Sequence, residues 1–149
     1  MAKVIKIAIS QNSKGQMGQM KEANSVEAVA GKGLVNDRYF EDNNEKRCQI
    51  TLIQIENIDN YNKIYGTKIP AINFRRNIVT QDIKLNELLE KIFFIGEVKV
   101  IAHDLCRPCK YLQESLKQEH IIKEFVKKGG LRCEILNNGK IYVGDGIKY

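Results

Sequence analysis

Apolar side chains recur along this chain mostly at every second position, and only in a few stretches at three-and-four spacing. Ile5, Ile7 and Ile9 alternate with other residues over Lys3 to Ser10, which predicts a strand with one buried face. Gln11 to Asn24 is polar, carries Gly15 and Gly18, and reads as a mobile loop. A short strand follows at Val26 to Ala30, running into Gly31-Lys32-Gly33, and another at Cys48 to Ile53. Over Gln54 to Tyr65 the period changes. Ile55, Ile58, Tyr61 and Tyr65 fall on one helical face, and Gly66 stands where a helix stops. Further strands are predicted at Asn77 to Thr80 and Glu97 to Ala102, with a helical turn around Leu85 to Ile92 between them. Leu105 to Cys109 reads as a loop opening a helix from Lys110 to about Gln118, and a second helix runs from His120 to Lys128 before Gly129-Gly130. The end of the chain predicts a hairpin. Leu131, Cys133 and Ile135 alternate on one arm, Ile141 and Val143 on the other, and Asn137-Asn138-Gly139 lies between them.

Six or seven short strands with a few inserted helices predict a mainly β fold curled into a barrel. The strands do not alternate regularly with helices, as a βαβ fold requires. No repeat, low-complexity tract or linker divides residues 1–149, so one domain is expected. With 43% hydrophobic and 28% charged residues, the composition is that of a globular chain. No apolar run approaches the roughly 18 residues of a membrane span, and the start lacks the apolar region of a signal peptide. The chain reads as cytoplasmic, with no membrane association, and its four cysteines as thiols. The net charge of +6 favours an anionic small-molecule ligand or an acidic partner. Nucleic acid fits poorly, because the lysines are scattered and no basic stripe is interleaved with aromatic residues.

The candidate chemistry centres on Cys109. Pro108 suits the first position of a helix, which places Cys109 in the first turn, between Arg107 and Lys110. The helix dipole and both cations favour the thiolate that sulfur transfer and soft-metal ligation need, so Cys109 is expected to be the most reactive thiol. Cys106 completes a Cys-x-x-Cys. A zinc site would need two more ligands, which Cys48, Cys133 or His103 could bring only through the fold, and no bound zinc is expected. A redox dithiol would need a βαβ setting that the strand pattern does not supply. Cys48 and Cys133 fall on strand faces and are expected to be buried. Arg75 and Arg76 precede a strand as a fork for a phosphate or carboxylate would, or else pair with Asp37 or Asp145. Lining of one cleft by both arginines and Cys109 is expected. Asn77 and Arg38 are candidates for the same ligand, or for holding their turns.

Four separated pieces resemble the MOSC domain family (molybdenum cofactor sulfurase C-terminal domain). They are Gly31-Lys32-Gly33-Leu34-Val35-Asn36-Asp37-Arg38-Tyr39, Arg75-Arg76-Asn77-Ile78-Val79, Ile95 to Val98 with Cys106 to Leu112, and Gly130-Leu131-Arg132 with Asn138 to Asp145. Asn36 stands where members usually have Gly, and it tolerates the left-handed backbone such a turn uses. The resemblance implies a barrel of the pyruvate-kinase type and a stand-alone protein of molybdenum-cofactor metabolism. It also implies that Cys109 is either a persulfide-bearing sulfur carrier or a thiolate ligand to molybdenum. The corresponding activities are sulfur transfer or a molybdopterin-dependent reduction of N-hydroxylated compounds; the non-catalytic alternative is a cofactor-binding module. On this reading the molybdenum cofactor (molybdopterin) would be held by Arg38, Arg75, Arg76, Asn77 and Lys110. The partners implied are a cysteine desulfurase, which would carry the pyridoxal phosphate itself, or molybdenum-cofactor enzymes.

Overall fold

In the computed structural model, residues 1–11 and 18–149 are described; the middle of the loop expected over Gln11 to Asn24 lies outside them. The elements run β1 (Lys3–Ile9), β2 (Lys21–Ala23), β3 (Ser25–Val29), β4 (Gly33–Leu34), β5 (Ile50–Gln54), α1 (Ile55–Tyr65), β6 (Ile78–Gln81), β7 (Ile92–Ile95), β8 (Val98–Leu105), α2 (Lys110–Ser115), α3 (Ile121–Glu124), β9 (Leu131–Ile135), β10 (Gly139–Tyr142) and β11 (Ile147–Lys148). Short 3₁₀ turns lie at Lys46–Cys48, Ala71–Phe74 and Leu85–Leu88.

Eight strands form one sheet in the order β11-β7-β8-β9-β5-β6-β1-β2, and β10-β3-β4 form a second. The larger sheet curls. Lys3 bridges Gly146, the Val4 amide donates to the Asp145 carbonyl at 2.9 Å, and the Ile147 amide donates to the Ala2 carbonyl at 3.0 Å. These bonds bring β1 beside the segment entering β11, so the fold is the expected barrel-like one. All neighbouring pairs are antiparallel except β5 and β6, where Leu52 faces Ile78 in parallel register. The crossover through α1 that joins them is long enough to reverse the chain, and it is the single βαβ unit among the described residues.

Alternation explains two hydrophobic layers. Ile50, Leu52 and Ile78 point into the barrel with Val98, Val100, Leu131 and Cys133. Ile53 and Val79, on the other face of the same strands, meet Ile58 and Tyr61 of α1, Phe74, Leu112, Ile121 and Phe125. The stripe predicted for α1 holds, and the helix ends at Gly66 with φ +65, its amide donating to the Asn62 carbonyl.

Three expectations change. In β1 the face of Ile5, Ile7 and Ile9 is split, because the register shifts between Val4 and Lys6. Such a bulge turns consecutive residues to different sides: Val4 and Ile7 enter the barrel and Ile5 packs toward the helices. The C-terminal hairpin is absent, since β9 lies between β8 and β5 and β10 pairs with β3. Asn137 and Asn138 serve the main chain instead, accepting from the Lys99 and Ala30 amides at 2.8 Å each. The true tight hairpin is β7–β8, where Ile95 faces Val98 across Gly96 (φ +57) and Glu97. Finally, both helices after Cys109 are shorter than the periodicity predicts.

Candidate functional site

The ends of β5, β6, β8 and β9 and the turn after β4 surround a cleft of about 100 Å³, lined by Arg38, Tyr39, Cys48, Thr51, Arg75, Arg76, Asn77, Cys106 and Arg132. Its shape begins at Asn77. The Thr51 amide donates to Asn77 Oδ1 at 3.0 Å, Thr51 Oγ1 accepts from the Asn77 amide at 3.0 Å, and Asn77 Nδ2 donates to the Ala8 carbonyl at 3.2 Å. Asn77 therefore ties β5, β6 and β1 together. Its side chain is spent on structure.

Arg75 follows the Ala71–Phe74 turn with φ +67, an unusual backbone for a residue with a β-carbon. Its Nη1 donates to the Gly18 carbonyl at 2.7 Å, while Nη2 is buried without a partner among the described residues. Burial, and next the charge of Arg38, hold its guanidinium below the ordinary value. Arg76 is clamped by the Gly129 carbonyl at 2.9 Å and the Phe74 carbonyl at 3.2 Å. Arg38 lies over the Tyr39 ring, 4.6 Å from its centroid, and 3.8 Å from Asp37 Oδ1. Asp37 is buried and accepts the Ser10 amide at 3.0 Å. Asn36 takes φ 70, the left-handed turn expected of it. Neither Arg75 nor Arg76 pairs with Asp37 or Asp145; the latter accepts the Tyr142 amide at 2.8 Å.

The cysteines divide by environment. Cys106 is buried within the cleft; its burial raises the thiol's pKa, while the nearby Arg76 and Arg132 charges oppose that shift. Cys133 is fully buried and pushed up further by the same cause. Cys48 is partly exposed, its Sγ donating to Glu45 Oε2 at 3.2 Å. Cys109 is exposed. It is the N-cap of α2 rather than a residue of the first turn, with an extended backbone and Sγ accepting the Leu112 amide at 3.4 Å. The sulfur thus stands in for the oxygen of an ordinary cap, which moves Pro108 to just before the helix. Lys110 opens α2 and is exposed.

The cleft brings together Arg38, Arg75, Arg76, Asn77 and Cys106, whereas Cys109 and Lys110 are not among its lining residues. Arg75 also borders a hollow of about 500 Å³ shared with Met20, Asn73, Tyr111, Ser115 and Leu116, so the helix carrying Cys109 walls the space next door. A further hollow of about 580 Å³, lined by Ile83, Lys84, Glu87, Leu88, Lys91, Ile92 and Tyr149, shares no residue with either and holds no thiol or arginine. Arg132 is the member sequence reasoning missed. Its signal was a cation between Leu131 and Cys133, facing the side opposite theirs. His103 Nε2 and Glu134 Oε1 are 2.8 Å apart, a pairing on the β8–β9 ladder away from the cleft lining. Among the described residues no group of three or more His, Cys, Asp or Glu side chains is placed to hold a metal ion. No helix of theirs is long and apolar enough to cross a membrane.

The family model described as MOSC domain matches residues 37–148. No curated protein matches the chain. Among solved structures, the YuaD protein from Bacillus subtilis is similar with a TM-score of 0.81 at 17% identity, over 100% of this chain and 97% of that one. YiiM from Geobacillus stearothermophilus gives 0.77 at 17% identity over 99% and 74%, and YiiM from Escherichia coli 0.72 at 15% over 99% and 69%. At such identities the likeness is one of fold.

Proposed function

Since this chain belongs to the MOSC domain family, we propose that it handles sulfur or molybdenum in molybdenum-cofactor metabolism, with Cys109 as the acting thiol. The observation that carries this reading is the contrast among its cysteines. Cys109 is exposed on a capped helix start, its sulfur held by the Leu112 amide, while Cys106 and Cys133 are buried. An exposed, positioned sulfur can meet a donor protein; a buried one cannot.

In the sulfur-carrier form, the Cys109 thiolate attacks the outer sulfur of a persulfide on a cysteine desulfurase. The donor's sulfur–sulfur bond breaks, the donor cysteine leaves as thiolate, and Cys109 carries the transferred sulfur as a persulfide for a later acceptor. No net oxidation occurs in this exchange, and pyridoxal phosphate stays with the desulfurase. In the ligand form, the residues fit an anionic pterin cofactor on one structural ground: the buried Arg75 Nη2 lacks a partner among the described residues, beside three more guanidinium groups. Cys109 would ligate the metal, Arg38, Arg75 and Arg76 would hold the anionic part, and Lys110 would add positive charge from the start of α2. Asn77, with its side chain engaged, would keep the arginines in place. When bound, the molybdenum centre supplies two-electron chemistry of the kind that reduces N-hydroxylated compounds.

The test is elemental and mass analysis of protein purified without reductant. A molybdenum atom, or a Cys109 peptide one sulfur heavier, is expected, and Cys109→Ser should lose it. Protein carrying neither after incubation with a cysteine desulfurase, cysteine and a molybdenum-cofactor source contradicts the proposal.

A further inference from the structure

The hollow of about 580 Å³ beside the Leu85–Leu88 turn shares no lining residue with the arginine cleft or with the space at Arg75. Its frame is held in place from both sides. The Leu85 amide donates to Gln54 Oε1 at 3.0 Å and Asn86 Nδ2 to the Lys127 carbonyl at 2.7 Å, which fastens the turn to β5 and to the end of the α3 segment. Beyond the turn, the Lys91 amide donates to the Leu88 carbonyl at 2.9 Å and the Glu90 amide to the Ala102 carbonyl at 2.8 Å. Lys84 and Lys91 thus leave a fixed backbone on either side of Leu85–Leu88, and the cavity between them exists before any ligand arrives.

Two kinds of surface meet there. Ile83 and Leu88 are buried and give the hollow apolar walls, while Ile92 and Tyr149 border it with 51% and 78% of their surface uncovered. Exposed apolar and aromatic surface lining a concave site favours a flat apolar body. The side chains of Lys84, Glu87 and Lys91 are exposed and make no hydrogen bond or ion pair among the described residues. Two ammonium groups against one carboxylate suit a ligand with a single negative charge, and Glu87 opposes a polyanion. The volume falls in the range of roughly 300–1,000 Å³ that small-molecule sites occupy. We infer that this hollow binds an aromatic monocarboxylate of one or two rings. The ring packs on Ile83 and Leu88 and against the Tyr149 ring, and the carboxylate meets Lys84 and Lys91. The site goes beyond the function proposed above and uses neither Cys109 nor the arginines.

The experiment is calorimetric titration of the full chain with 2-naphthoate and with its neutral counterpart, 2-naphthylmethanol. One saturable naphthoate site per chain is expected, with the alcohol at least about fivefold weaker. Lys84→Gln and Lys91→Gln together should weaken naphthoate by about tenfold, since an exposed ion pair contributes up to about fivefold, and should leave the alcohol unchanged. Tyr149→Ala should weaken both probes by about threefold or more through the lost ring contact. All three side chains are exposed, so the variants should melt like the parent without ligand. Arg132→Gln, in the other cleft, should bind naphthoate as the parent does. No saturable binding at millimolar naphthoate, equal binding of the alcohol, or parent-like affinity in the double lysine variant or in Tyr149→Ala overturns the inference. Loss of binding in Arg132→Gln also overturns it, because the probe would then sit among the arginines.

Discussion

Gly130 joins α3 to β9 with φ +106, and a β-carbon there would run into the Leu52 carbonyl. Gly130→Ala should therefore destabilise the protein by at least about 1–3 kcal/mol from backbone strain alone, seen as a lower urea midpoint; an unchanged midpoint would refute the contact. At Glu45 the argument is electrostatic. Hydrogen bonding from Arg47, then from Cys48, holds its carboxyl near a pKa of about 2 against an ordinary 4.5. A carboxyl lowered on folding contributes stability above its unfolded value, and that contribution is lost as pH falls through the folded one. Glu45→Gln should therefore flatten the pH dependence of the urea midpoint between 4.5 and about 2. The effect should be small, because the pair is exposed, and an unaltered slope would count against it. Much at this scale was legible. The left-handed turn at Asn36 and the stop at Gly66 follow from residue type. The clasp of Asn77 to Thr51 and Ala8 was not, because it joins residues 26 and 69 positions apart.

Helices α2 and α3 are too short to persist alone, and they stay folded because Leu112, Ile121 and Phe125 pack against Ile53, Phe74 and Val79. The Phe125 ring centroid lies 5.0 Å from that of Phe74 and 5.6 Å from that of Tyr61. Phe125→Ala should cost about 3–5 kcal/mol, measured as a lower denaturation midpoint. An unchanged midpoint would show that these ring contacts do not hold α3 in place. Strand positions were readable because a half-buried strand alternates, and α1 because its stripe repeats every three or four residues. Pairing was not readable. Nothing local in Asn137-Asn138-Gly139 distinguishes a hairpin turn from a crossing between two sheets, and the outcome is decided by the distant Lys99 and Ala30 amides.

Across the whole molecule, the barrel curl collects arginines at positions 38, 75, 76 and 132 into one cleft, while the chain shows only two of them as neighbours. The net charge of +6 favours an anionic ligand without saying where one would bind. Curling also separates the thiols: β8 and β9 bury Cys106 and Cys133, and the loop leaving β8 delivers Cys109 to the surface at the start of α2. A helix opening near Cys109 was legible from Pro108, whereas the seclusion of Cys106 beside Arg76 and Arg132 depends on strands brought together by folding. On the proposed function these two places would divide the labour, an exposed sulfur for transfer or ligation and arginines for the anionic part of a cofactor. Limited alkylation of the native protein near neutral pH, followed by peptide mapping, tests it most directly. Cys109 should be labelled first, with Cys106 and Cys133 protected until denaturant is added. Labelling led by Cys106 or Cys48 would contradict the assignment of Cys109 as the acting thiol.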